Sequence, residues 1–522
     1  MKKLISVILA GTMAVSMVAC GSTSSDSASS ASSASSASST SAASEASSSA
    51  DRDSLNVIIG AEWSTLDPQA LPSSAEIAFC QNIFDYLVVC DQEGNVSGSV
   101  ATDWTASDDG LTYTFNLRDD ITFSNGDALD ADDVVLSIER FRDESWMQFA
   151  SFAIDTAEKT DDYTVTVTLK YPYAKIVNML RYCAIIDKDY YESTDYEEFS
   201  RNPIGSGPYK LTSWTAGQGA TLEANESYWG DAPSIPNVNI SFVSDTDTVL
   251  VAMETGEADF TYGTAISAVS YQQAVADDKV GTDSVTGNSF YYVNFNSQKV
   301  SKEVRQALSY ATDREALNTV ITEGTGTLAN FCIKEGWEGY TDDITTYDYD
   351  PEKAKELLEA AGADGLELTF YYASSTDNKK LGETLQSQWA QVGVTLNLEE
   401  VESGTWWADF TDGNYDVSRG GYPVEINITD TAYYDMFNSN GTFNVSQVNS
   451  EEIDSLLEEA RVEQDATARD EIYQQVNQIM ADEAYYIPLY WMATDVLYNK
   501  DLQGVSAVAS QEYHFCDYSW AE

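Results

Sequence analysis

The stretch between residues 351 and 401 constrains the fold more than any other. PEKAKELLEAAG (351–362) opens with proline in its first turn and ends on glycine, the punctuation of a short helix. LELTFYYA then reads as a strand, LGETLQSQWAQVG (381–393) as a helix and VTLNLEEV as a second strand. Strand, helix, strand is a βαβ unit, so the fold class is α/β. A chain of 522 residues exceeds what one small core can hold, and two or three lobes are expected.

Other segments carry the same periodicities. LNVIIG (55–60), LTYTFNLR (111–118), YTVTVTLK (163–170), SFYYVNFN (289–296) and YYIPLYW (485–491) read as strands. AEIAFCQNIFDYL (75–87), ALDADDVVLSIERF (128–141) and VRQALSYATDREALNTVI (304–321) read as helices, the second with acidic residues in its first turn. IGSGPYKL (204–211) is a Gly/Pro turn feeding a strand, and VLVAMETGEADF (249–260) a short helix, a glycine turn and a strand entry. RGGYPVE (419–425) reads as a loop in which Gly420 and Gly421 permit a bend and Pro423 stiffens the return.

Charge excludes one class of partner. With 85 acidic and 27 basic residues, the net charge of −58 leaves no basic surface for nucleic acid or an anionic membrane face. Apolar residues at 43% are enough for a packed core.

The N-terminus has the layout of an exported chain. Lys2 and Lys3 precede LISVILAGTMAVSMVA, which is short for a spanning helix. Ala19–Cys20–Gly21 is similar to the lipobox of bacterial lipoproteins, with Met17 where leucine is usual. That similarity implies cleavage after residue 19 and a lipid on Cys20; the alternative is a plain secretory signal. Residues 21–50 hold 17 Ser and 8 Ala with no aromatic or branched aliphatic residue, as a tether would. The five remaining cysteines, 80, 90, 183, 332 and 516, show neither CxxC nor zinc spacing, and buried free thiols are expected.

Catalysis finds little support. His514 is the single histidine, and GxSxG, HExxH and P-loop patterns are absent. No cofactor or metal is expected. Asp348 and Asp350 begin a calcium-like DxD, but Lys353 stands where such a loop needs glycine.

The order of STLDP (64–68), the block 93–141, PIGSGPYKL (203–211), GEADF (256–260), VRQALSYATDREAL (304–317), YDPEKAKELLEAAG (349–362), YDVSRGGY (415–422) and 468–491 resembles the family 5 extracellular solute-binding proteins of ABC transporters. That group includes oligopeptide- and dipeptide-binding proteins. The resemblance implies a two-lobed periplasmic-binding-protein-like clamp of type II, with an extra domain inserted in lobe one. Mapped here, 1–19 is a signal peptide, 20–50 the lipidated tether, and 51–88, 203–285 and 487–522 lobe one. Residues 89–202 are the inserted domain and 286–486 lobe two, with crossings near SFYYVNFN and YYIPLYW. It also implies a monomer, held on the outer face of the cytoplasmic membrane, that hands its ligand to a permease.

The same resemblance implies a ligand site. Arg419 matches an arginine that meets the carboxylate of a short peptide, and Glu425 the acid that receives its ammonium, with Asp430 as the rival anchor. Tyr422 and Gly421 lie between them. Trp406 matches a cleft-lining tryptophan, one of the Trp406–Trp407 pair expected to face the cleft and the other the core. Trp63 and Tyr490 match cleft-adjacent regions, and Trp389 is expected in the core. Removing both charged ends of a peptide from water requires an opposite charge at each. An oligosaccharide stacked on Trp406 and Trp407, or a nickel chelate, would suit the same fold. An extracellular hydrolase and a signalling or adhesion receptor are the alternatives from other classes.

Overall fold

The computed structural model describes residues 52–70, 74–424 and 428–521. Of the strands among the described residues, fourteen organise its two main sheets. In chain order they are β1 (Ser54–Ile59), β2 (Ala101–Ala106), β3 (Thr112–Leu117), β4 (Ile154–Asp161), β5 (Thr164–Leu169), β6 (Tyr209–Thr215) and β7 (Gly219–Ala224). They continue with β8 (Asn237–Phe242), β9 (Phe260–Tyr262), β10 (Gly281–Phe295), β11 (Glu367–Ala373), β12 (Thr395–Val401), β13 (Val417–Pro423) and β14 (Tyr486–Tyr498).

One large sheet runs in the order β12-β11-β13-β10-β14-β9-β1-β8-β7-β6. The βαβ reading holds: β11 and β12 pair in parallel from Glu367↔Thr395 to Ala373↔Val401, joined by the helix Thr376–Ala390. That helix starts before Leu381 because Ser375 caps it, accepting from the Asn378 amide. β10 and β14 are the long central strands, and each continues well beyond the segment its sequence marked. The two ends of the sheet build separate cores. Leu55, Leu222 and Phe260 belong to one, while Phe370, Leu385 and fully buried Trp389 belong to another. The antiparallel sheet β2-β3-β5-β4 packs on the helix Ala131–Asp143 and shares the first core. Asp130 and Asp133 close a capping box at the start of that helix.

Three elements depart from the sequence reading. The helix expected over 75–87 spans only Ser74–Cys80. Both Ile83 and Phe84 turn back to the Cys80 carbonyl, and the Ile83 carbonyl accepts from Gly207 at 2.9 Å. A Cβ on Gly205 or Gly207 would lie 2.1 or 2.7 Å from the Ile83 backbone, so close approach, not helix, sets this segment. The single helix expected over 304–321 is two, Lys302–Tyr310 and Arg314–Thr322. Asp313 accepts from the Ala316 amide at 3.0 Å and starts the second one.

The third departure is RGGYPVE. It is no loop: Val417–Pro423 forms β13, antiparallel to β10, with Arg419↔Val293 and Gly420↔Tyr292 in register. The glycines do not bend it. A Cβ on Gly420 would meet the Tyr292 ring at 2.2 Å, and one on Gly421 the Tyr291 ring at 2.8 Å. They leave room for two rings across the sheet.

The five cysteines among the described residues are free thiols, with Cys80, Cys183 and Cys332 buried. Among the described residues no helix is long and apolar enough to cross a membrane.

Candidate functional site

A cleft opens where the two ends of the large sheet face each other across β10 and β14. Its largest compartment, about 550 Å³, lies between Gly263–Val269 on one side and Thr322, Glu323, Asp377 and Lys380 on the other. A second, about 390 Å³, is bounded by Tyr291, Asn378, Trp406 and the strand from Arg419 to Pro423. A third, about 60 Å³, lies between Arg181 and Tyr182 on one wall and Pro423 and Val424 on the other. Ser289 borders all three, so the compartments adjoin one another.

Alternation along β13 puts Arg419 and Gly421 on one face and Gly420 and Tyr422 on the other. The Arg419 guanidinium lies over the Tyr291 ring, 4.3 Å from its centroid. It donates to Asn378 Oδ1 and to the Tyr490 hydroxyl, each at 3.1 Å. Its Nε has no hydrogen-bond partner. Every partner of this cation is neutral, and it borders open volume. Tyr490 is fully buried; burial pushes its phenol up to about 12, against the pull of Arg419.

Trp406 lines the same compartment. Its indole N–H donates to Ser418 Oγ at 3.0 Å, and its ring stacks on Phe410 at 4.7 Å. Trp407 is not core: it is 47% exposed, and the buried rings of this cluster are Tyr371, Phe410 and Tyr415. Tyr422 lines the compartment too, with its hydroxyl donating to Asp435 Oδ2 at 2.9 Å. Burial raises the Asp435 carboxyl, and hydrogen bonds from Tyr422 and Thr442 oppose that shift.

The remaining predicted positions fare differently. Trp63 sits in the core at 4% exposure, stacked on Phe79 at 4.0 Å, and lines none of the three compartments. Its match to a cleft-adjacent region gave the wrong environment because Phe79, Trp214 and Phe242 enclose it. Asp430 is already engaged. It accepts from Arg461 Nε at 3.1 Å and from the Tyr173 hydroxyl at 3.2 Å. Glu425 and Cys20 lie outside the described residues. His514 borders a separate cavity of about 200 Å³, beside Asp85, Trp229 and Cys516. Among the described residues no cluster of three or more His, Cys, Asp or Glu side chains is placed to hold a metal ion.

Sequence reasoning missed Tyr291, Asn378 and Ser289. Tyr291 was visible only as one aromatic in SFYYVNFN. Asn378 stands in the first turn of a helix, where polar residues are ordinary.

Residues 95–444 match the family model described as bacterial extracellular solute-binding proteins, family 5 middle. The heme-binding protein A of Haemophilus influenzae is 28% identical over 455 residues, covering 79% of this chain and 82% of its own. The dipeptide-binding protein of Escherichia coli K12 is 27% identical over 455 residues, covering 80% and 84%. The ABC transporter-associated periplasmic binding protein DppA from Helicobacter pylori, solved in complex with peptide STSA, superposes with a TM-score of 0.77. It is 26% identical over 90% of this chain and 98% of that one. The architecture is therefore the two-lobed type II clamp with an extra domain, and the role is capture of a solute outside the cytoplasm without chemistry on it. The chain belongs to family 5 of the bacterial extracellular solute-binding proteins of ABC transporters.

Proposed function

We propose that this protein is a lipid-anchored receptor that captures short peptides between its lobes and delivers them to an ABC permease. The observation that carries the reading is Arg419: a guanidinium bordering the cleft, with only neutral hydrogen-bond partners. A cation so held is poised for an anion from outside the protein, and a peptide carboxylate fits it. Trp406, Gly421 and Tyr422 shape the adjoining space, and Tyr490 orients the guanidinium. The ammonium end is assigned to Glu425, since Asp430 is engaged by Arg461. Named relatives include a dipeptide-binding protein and one solved with peptide STSA, which supports a peptide; others bind heme or glutathione, so the choice rests on Arg419. The lobe boundaries given above, a monomeric state and the lipid on Cys20 are parts of the same proposal; the anchor rests on the Ala19–Cys20–Gly21 pattern and the tether behind it.

Mass spectrometry of the ligand released from denatured, purified protein tests the peptide assignment. A peptide is expected; a sugar or a metal chelate overturns it. Titration calorimetry with that peptide should show Arg419→Met weakened by roughly thirtyfold or more, as loss of one partner of a desolvated charge pair does. Cys20→Ser should release the protein from membranes; persistence on the membrane removes the anchor.

A further inference from the structure

Lys334 is a partly buried cation with neutral partners. Its Nζ donates to the Thr286 carbonyl at 3.0 Å and to Asn288 Oδ1 at 2.8 Å. The ring centroids of Trp337 and Trp491 lie 5.0 and 4.9 Å away. Burial pulls its ammonium down to about 7, and no charged group contributes to that shift. A methionine would fill such a space without the cost of desolvating a charge.

The partners of Lys334 belong to the cleft. The pairing of β10 with β14 loses register between Thr286 and Phe290. A bulge there interrupts the ladder, so its shape depends on tethers outside it. Ser289 borders every compartment of the cleft, and Asn288 borders the smallest. The Asn288 carbonyl also accepts from the Val424 amide at 2.9 Å, which fixes the chain just past β13. One ammonium thus grips a bulge that carries the cleft floor and holds the end of the Arg419 strand.

We propose that Lys334 is a positioning residue for ligand capture: its ammonium pins the Thr286–Ser289 bulge and so sets the cleft floor and the end of β13. The role rests on the cleft being the ligand site. Charge matters to it, because a charged donor makes stronger hydrogen bonds and only the cation is drawn to the faces of Trp337 and Trp491. The groups facing Nζ are Thr286 and Asn288 from β10, Trp491 from β14 and Trp337 from its own segment. Of the neighbouring acids, Glu335 is exposed and Glu338 pairs with Lys175 and Arg469. The grip is therefore tight at low pH and loosens as pH rises through about 7.

The test uses full-length, ligand-free protein, so failure of the peptide assignment leaves its result unaffected. Amide exchange followed by mass spectrometry should show protection of 286–290 and 422–424 falling about tenfold between pH 6 and pH 8, beyond the intrinsic pH effect. Lys334→Met should show the low protection at both pH values, and Lys334→Arg the high protection at both. Exchange in Glu451–Val462 should not change. Tryptophan emission should lose a step near pH 7 in both variants, while the step from Asp85 beside Trp229 persists in all three proteins. Equal pH dependence in wild type and Lys334→Arg, or exchange raised evenly across the chain in Lys334→Met, overturns the proposal. If Lys334→Met does not fold, the wild-type and Lys334→Arg comparison decides alone.

Discussion

Gly420 shows how a residue can be chosen by its neighbour across a sheet. The Tyr292 ring is fully buried and lies where a Cβ on Gly420 would stand. Gly420→Ala should cost about 1–3 kcal/mol by overpacking, measured by urea unfolding. An unchanged midpoint would mean that the ring can move aside. In the sequence this glycine looked like part of a bend, because Gly-Gly followed by Pro is the usual punctuation of a turn. The ring it accommodates is 128 positions away in the chain, from 292 to 420, and no local pattern reports it. Arg419 and Trp406 were legible because a short motif carries them. Tyr291 and Asn378, which border the same compartment, come from two other elements and become neighbours only in the fold.

Among the elements, the break in VRQALSYATDREALNTVI separates pattern from capping. Its apolar spacing continues past Thr312, since both helices bury one face in the same core. The stop signal was present in Asp313, whose carboxylate accepts from Ala316. Asp313→Ala should cost about 1 kcal/mol, and Asp313→Asn only a small part of that, again by urea unfolding. Equal losses would place the effect in the side chain's other surroundings. The βαβ unit was read correctly because its helix and strands differ in period and are separated by glycine and short turns. The register slip in β10 was not, because a bulge depends on the partner strand.

At the scale of the molecule, the antiparallel-sheet domain meets the other end of the clamp through buried charge. The Arg461 guanidinium lies over the rings of Phe152 and Tyr434, at 4.4 and 3.3 Å, and pairs with Asp430. Arg461→Met strands a carboxylate that is 2% exposed, and a loss of about 3–5 kcal/mol is expected. Arg461→Met with Asp430→Asn should recover much of it. A double variant no better than the single one would locate the loss in packing. The acid balance of the whole chain yields a second expectation, in pH. Burial raises Asp85 and Asp133 from 3.8 to about 6. Between those values each group binds more protons folded than unfolded. Its contribution to stability is complete below 3.8 and is lost as pH climbs through about 6. Each should return roughly 1 kcal/mol on going from pH 8 to pH 5. Self-repulsion of a chain with net charge −58 acts in the same direction, since protonation relieves it. Salt separates the two, because it screens exposed charges far better than buried ones. Urea midpoints should therefore rise from pH 8 to pH 5. In 0.5 M NaCl the rise should shrink but persist, and Asp85→Asn should reduce what persists. A rise abolished by salt alone would assign the whole effect to surface repulsion.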